Sequence, residues 1–188
     1  PDSGGHIAGD GPCRPSKSNP SFTVATYNIH AGVGRDGKRD LSRIAETLIG
    51  ADVVGLQEVD NNRVRSGFEN QVRSLAAALG HRYWQHFPSE DYWPLGTYGT
   101  AAISSLPVVA SSVFDLPIVE KKPLRHLAWI KFLADCRPIH AFILHATRGD
   151  DSIASAQAVQ IEAAWLIISE KVDATREPVI LLGDFNAS

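Results

Sequence analysis

What this chain of 188 residues lacks narrows it first. It has no methionine and begins at Pro1, so it reads as a processed or partial chain, and a missing leader says little about where the protein works. Its two cysteines, Cys13 and Cys136, lie far apart and outside any C-x-x-C or Cys/His spacing. Neither a zinc site nor a disulfide framework is signalled, and one optional bridge stays open. No run approaches the roughly eighteen apolar residues of a membrane-spanning helix. Neither sign of charge dominates: 18 basic and 21 acidic residues leave a formal charge of −3. Such a chain has no general attraction for nucleic acid, although a local basic groove stays open. With 44% apolar and 21% charged residues it reads as one soluble globular domain, cytoplasmic or exported, and not as a disordered polyelectrolyte.

Residues 1 to 21 are rich in Gly, Pro, Ser and Asp, the composition of a linker or leader, and are set apart from the domain expected over 22–188. Phe22 to Asn28 reads as a strand ending in the glycine-rich loop Gly32 to Gly37. Asp40 is a helix N-cap, with Leu41, Ile44, Ala45, Leu48 and Ile49 at helical spacing before Gly50. Val53 to Val59 suits a buried strand. A second helix follows, with Phe68, Val72, Leu75 and Leu79 on one face and Gly80 as its stop. Ala101 to Ser105, Val108 to Phe114, Leu127 to Leu133 and Ile139 to His145 are successive strand-like runs that suggest antiparallel pairing. A long helix is expected from about Ser152 to Val172, with Ala158, Ile161, Trp165, Ile168 and Val172 as its apolar stripe, and a last strand over Val179 to Leu182. Helices with two groups of strands imply an α/β protein whose sheets pack face to face with helices outside.

Polar residues stand where the apolar strands run out: Asn28, Glu58, His145, and Asp184 with Asn186. Strand ends held by a rigid sheet are frequent sites of catalysis. Each residue alone also has a plain structural reading. Asn28 suits an Asx turn, Glu58 a solvated or paired carboxylate, His145 a hydrogen-bonded structural ring, and Asp-x-Asn after Gly a common turn.

Together they fall into ordered motifs: T-Y-N-I-H from Thr26, L-Q-E-V-D from Leu56, Y-G-T-A-A-I-S from Tyr98, P-L-R from Pro123, L-H-A-T from Leu144 and G-D-F-N-A from Gly183. This series resembles the endonuclease/exonuclease/phosphatase superfamily over nearly all of Phe22 to Ser188, and L-H-A-T is similar to the histidine segment of pancreatic-type deoxyribonucleases. The resemblance implies a four-layer α/β/β/α sandwich of the deoxyribonuclease I kind and a metal-dependent phosphoesterase, foremost a phosphodiester hydrolase. It implies Mg²⁺, with Mn²⁺ as substitute, held by Glu58 with the amide oxygen of Asn28 as partial ligand. Asp184 would orient or deprotonate the attacking water, Asn186 would bond the phosphate, and His145 would stabilise the phosphate or protonate the leaving group. Tyr98 matches a tyrosine near the phosphate, and Thr100 stands where Asn is frequent. Arg125 matches an arginine that grips phosphate or fixes a carboxylate, and reads equally as a surface salt bridge.

Glu90 corresponds to a glutamate that pairs with the histidine in pancreatic-type enzymes, although Asp91, Tyr92 and Trp93 interrupt the run before Pro94-Leu95-Gly96; it also reads as an exposed loop carboxylate. Trp84, Tyr92 and Trp93 suit base or sugar stacking, or a plain aromatic plug of a loop. Substrates across the superfamily include nucleic acids, inositol phosphates and phospholipid head groups. Members continue past G-D-F-N to an S-D-H-type motif, whereas only Ala187 and Ser188 follow here, so the sandwich is expected to lack its last strands and the chain alone to turn over little. The rival expectation is an inactive relative serving as a binding module; retention of Asn28, Glu58, His145, Asp184 and Asn186 counts against it.

Overall fold

The computed structural model describes residues 21–119, 122–148 and 154–186, with side chains from 157 onward in the last stretch. The expected leader, apart from Ser21, and the expected helix start at Ser152 lie outside the described residues. In chain order the elements are β1 (Val24–Asn28), α1 (Leu41–Leu48), β2 (Val53–Asn61), α2 (Gln71–Leu79), β3 (Tyr83–Asp91), β4 (Thr97–Ser104), β5 (Val108–Asp115), β6 (His126–Ala134), β7 (Arg137–His145), α3 (Ala154–Lys171) and β8 (Val179–Asp184). They form two four-stranded sheets, ordered β1-β2-β4-β3 and β5-β6-β7-β8. In each sheet one outer pair is parallel, β1 with β2 and β7 with β8, and the other pairs are antiparallel.

The alternation of side chains along each strand sorts the apolar residues into three layers. Val54, Leu56 and Ile103 face Ile44, Leu48, Val72 and Leu75 of α1 and α2. Ala102, Ile130, Phe132, Ile143 and Leu182 meet between the sheets. Leu127, Trp129, Phe142 and Leu144 face Ala164, Ile168 and Val172 on the side of α3. The result is the expected α/β/β/α order. Asp40 caps α1 by accepting from the Ser42 N–H at 2.9 Å, and Asn70 caps α2 by accepting from Arg73 N–H at 3.1 Å. Gly80 ends α2 with a left-handed φ of 69°, receiving the role expected of it.

Three sequence expectations are corrected, and one strand is added. Tyr83 to Asp91, given no element from the sequence, is a strand, and its Pro88 is tolerated because β3 is an edge strand that bulges between Pro88 and Glu90. The consecutive runs at 101–105 and 108–114 do not pair, because the chain changes sheets between β4 and β5. Phe68 lies outside α2 at 61% exposure, and Trp165 points away from the core at 65%, so the buried stripe of α3 runs through Ala164, Ile168 and Val172. Cys136 is disulfide-bonded; Cys13 lies outside the described residues.

Candidate active site

The ends of β1, β7 and β8 and the bulge of β2 converge: Asn28 of β1 bonds Glu58 of β2 and Asp184 of β8, and Asp184 pairs with His145 of β7. Glu58 sits in a bulge of β2: Leu56 pairs with Ala101 and Val59 with Gly99, so β2 carries one residue more than β4. Glu58 adopts a left-handed φ of 60° there. The neighbouring strand β3 bulges at the same level, where Pro88 also pairs with Gly99. A Cβ on Gly99 would stand 2.1 Å from the Phe87 carbonyl oxygen, so only glycine fits between the two bulges.

Asn28 ties the two sheets together. Its Nδ2 donates to Glu58 Oε1 at 3.0 Å and to Asp184 Oδ2 at 2.9 Å, while its Oδ1 accepts from the His30 N–H at 3.0 Å. The last bond fixes the amide's orientation, since a backbone N–H needs an acceptor. The Asx-type turn is therefore present, and the same turn aims the amide donors at both carboxylates. Asn28 thus holds Glu58 and Asp184 in place through its nitrogen, and its Oδ1 keeps a second lone pair beyond the one given to His30. Asp184 Oδ1 also accepts from the Asn186 N–H at 2.9 Å, and the Asn186 amide donates to the Ala146 carbonyl at 2.9 Å. Burial pushes the Asp184 carboxyl up, but the Asn28 amide, the Asn186 N–H and the positive charge nearby outweigh it, leaving its pKa below the ordinary value.

His145 pairs with Asp184 across β7 and β8 and is 5% exposed. Arg125 Nη1 lies 3.2 Å from its Nδ1. A guanidinium only donates, so Nδ1 is the acceptor and the ring proton sits on Nε2, which faces Glu58 Oε1 at 3.9 Å. Burial foremost, then the Arg125 charge, lowers the His145 pKa to about 4 against the opposing pull of Glu58 and Asp184, so the ring is neutral at neutral pH. Tyr98 is raised to about 12 by burial and by Glu58, which keeps its hydroxyl protonated.

Arg125 is thus neither a surface salt bridge nor a carboxylate clamp but the partner of His145. Glu90 is not brought to His145: its carboxylate accepts from the Tyr92 hydroxyl. Thr100, in the place where Asn is frequent, bonds His126 Nε2 at 3.0 Å in the interior. Sequence reasoning missed Arg65, which grips Asp60 through Nε at 2.8 Å and Nη2 at 2.7 Å and stands 5.2 Å over the Tyr98 ring. The fully buried Asp60 carboxylate demands such a partner, a need visible only once the fold buries it. Arg63 lies over the Tyr92 ring at 3.3 Å.

Residues 25–188 match the Endonuclease/Exonuclease/phosphatase family, and the chain belongs to it. Protein cwh43 of Schizosaccharomyces pombe is 33% identical over 98 residues, which is 51% of this chain and 10% of that protein. The fold is similar to the human nocturnin catalytic domain with bound sulfate anion, at TM-score 0.70 and 19% identity over 90% of this chain and 65% of that one. It is similar also to a mannosyl-6-phosphatase of Bacteroides thetaiotaomicron, at TM-score 0.67 and 20% identity over 88% and 66%. A humanized Danio rerio TDP2 gives TM-score 0.68 and 17% identity over 89% and 63%. The chain therefore spans about two thirds or less of each of these structures and a tenth of the curated relative. Among the described residues no helix is long and apolar enough to cross a membrane.

Proposed function

We propose that this face belongs to a metal-dependent phosphoesterase that hydrolyses phosphodiesters by attack of water activated at Asp184. The observation that carries the reading is the Asn28 amide, which holds Glu58 and Asp184 at 3.0 and 2.9 Å from one nitrogen, opposite a neutral His145. Among the described residues no three His, Cys, Asp or Glu side chains form a cage for a metal. That donor set suits Mg²⁺ or Mn²⁺, which keep several waters and bind through one or two carboxylates and the substrate's phosphate, and does not suit structural zinc. Glu58 would hold the cation, which when bound neutralises charge on the phosphoryl oxygens.

The protein's own groups do the rest. Asp184, kept ionised by its hydrogen bonds, accepts a proton from the water it orients. His145 donates Nε2–H to a phosphoryl oxygen; with a pKa of about 4 it acts as a neutral hydrogen-bond donor and is a poor proton source for a leaving group. Asn186 keeps a second amide N–H beyond the one given to Ala146, and the protonated Tyr98 offers a further donor.

The test is turnover of bis(p-nitrophenyl) phosphate against p-nitrophenyl phosphate with and without chelator. Chelation abolishes diester hydrolysis, Mg²⁺ or Mn²⁺ restores it, and Glu58→Gln raises the Mg²⁺ concentration required. Full activity in excess chelator overturns the metal reading, and preference for the monoester overturns the diester reading.

A further inference from the structure

We propose that the end of the sandwich carrying the Asn28–Glu58–Asp184–His145 cluster docks on a bilayer of zwitterionic phospholipid. The docking uses no step of the proposed hydrolysis; together with that reading it makes the diester a phospholipid head group.

The two ends of the molecule differ. Three connections project past the level of the cluster. Residues 62–69 leave the end of β2 and return at the Asn61–Asn70 bridge. The β3–β4 hairpin turns beyond the pair Asn61–Thr97, and the β5–β6 connection leaves the pair Asp115–His126 beside Arg125, the partner of His145. Each raises large apolar side chains into water: Val64 and Phe68 on the first, Trp93 and Leu95 on the second, Ile118 and Leu124 on the third. Trp93 is 83% exposed and Ile118 79%. At the opposite end lie the connections 49–52, 80–82, 105–107, 135–136 and 172–178, and among the described residues Ile49 is the only large apolar side chain exposed on them. Single exposed apolar residues are ordinary, but six gathered around one site mark an interaction surface.

The arrangement says what covers it. A protein partner wants its apolar anchors packed at the centre of a dry patch with a polar rim. Here the order is reversed: the apolar tips stand on three separate loops around a polar site. A bilayer accepts separate tips that project one way, each entering the interfacial region where Trp and aliphatic side chains partition, and the site between them then faces the head groups. Two of the tips are fixed against each other. A Cβ on Gly96 would stand 2.4 Å from the Asn61 carbonyl oxygen, and Arg63 lies over the Tyr92 ring at 3.3 Å, so the hairpin and the 62–69 loop form one platform. Charge selects the kind of lipid. Residues 62–69, 90–97, 116–119 and 122–125 carry Arg63, Arg65, Lys122 and Arg125 against Glu69, Glu90 and Asp91, and Arg65 is paired with Asp60 besides. Charges so nearly balanced exert little pull on anionic lipid or on nucleic acid, so apolar insertion carries the docking and neutral head groups suffice.

The test is flotation of the full chain with vesicles of phosphatidylcholine, alone and with phosphatidylserine added, at about 0.1 and about 0.5 M NaCl. The chain should float with pure phosphatidylcholine at both salt concentrations. Vesicles of brominated phosphatidylcholine should quench its tryptophan emission. That quenching should disappear in Trp93→Phe and persist in Trp165→Phe, whose indole is exposed on α3, away from the site end. Trp93→Ala and Ile118→Ser should each lower vesicle affinity about tenfold, with the circular dichroism spectrum and turnover of soluble bis(p-nitrophenyl) phosphate unchanged. Absence of flotation overturns the proposal. So do flotation that needs phosphatidylserine and is lost at high salt, quenching that survives in Trp93→Phe, and flotation unchanged in both Trp93→Ala and Ile118→Ser. A chain that floats in this way and hydrolyses nothing upholds the docking and overturns the phosphodiesterase reading alone.

Discussion

Two histidines of β7, five residues apart, show how the same side chain serves a closed network in one place and, in the proposed mechanism, chemistry in the other. His140 and His145 are both buried, at 4% and 5% exposure. Both accept at Nδ1 and turn Nε2 toward a carboxylate. His140 accepts from the Trp129 indole at 3.0 Å, and its Nε2 is in direct contact with Glu177. Lys131 closes that network from the other side of Glu177 at 3.1 Å, and the His140 bond, then Lys131, holds the Glu177 carboxyl below its ordinary range. His145 has a charged donor in place of the indole, and its Nε2 stands 3.9 Å short of Glu58. The first ring is fully spent on its neighbours. The second keeps an N–H that no protein group takes up at hydrogen-bond distance among the described residues, and burial first, then the Arg125 charge, keeps it from becoming an imidazolium.

The largest test of this contrast is at Asp184, which serves the open histidine. Asp184→Asn should lower kcat by about 10²–10³ with KM little changed, because the loss falls on the transition state. His145→Ala should likewise cost turnover and little stability. Unfolding of Asp184→Asn with full activity per folded molecule would reverse the assignment.

Next comes acid stability. His86, His126 and His145 each have a pKa lowered from 6.5 to about 4, burial being the leading cause in all three. The unfolded state binds these protons more readily, so their contribution is complete above pH 6.5 and is lost as pH falls toward 4. By pH 4.5 the cost should reach roughly 2 kcal/mol per histidine, read as a falling Tm. Arg125→Gln should raise the NMR-measured pKa of His145 and shrink its share of that loss. A Tm flat across this window would show that the rings protonate without penalty.

A smaller effect is expected at the closed histidine. His140→Ala leaves the Trp129 indole N–H unpaired in the interior, at about 1–3 kcal/mol by denaturant unfolding, with kcat per folded molecule unchanged. A fall in kcat matching that of His145→Ala would erase the distinction between the two ends of β7. The smallest effect is expected of Glu90→Gln: because Glu90 bonds Tyr92, the His145 titration should not move. A drop in the His145 pKa would restore the pairing seen in pancreatic-type enzymes.

The sequence made the strongly patterned parts legible. Asp40 announced α1, Gly80 ended α2, and the long apolar runs gave β6 and β7 nearly to the residue. It did not show β3, whose Pro88 and acidic end belong to an edge strand that the sheet supports by pairing. The exposed Trp165 shows the same limit, since α3 is apolar on more than one side and periodicity alone does not choose the buried face. The residues of the site were visible as motifs, yet their partners were not. Arg125 and His145 are twenty residues apart, and Asn28 and Asp184 meet only because the two sheets stack. Such pairings belong to topology, which no local pattern encodes.

The bulge at Glu58 has a consequence for how such a strand could have arisen. Val54, Leu56 and Val59 all face the helices, although strict alternation would put Leu56 and Glu58 on that face and turn Val59 away from it. Remove Glu58, and β2 becomes a regular strand in unbroken register with β4, its apolar face continuous. The carboxylate at the centre of the site therefore occupies the one position that the architecture does not require. A deletion there should spare the fold and silence the site. The sandwich is separable from its proposed chemistry by a single residue, and a strand without that residue would be sound in fold with no carboxylate to offer the site.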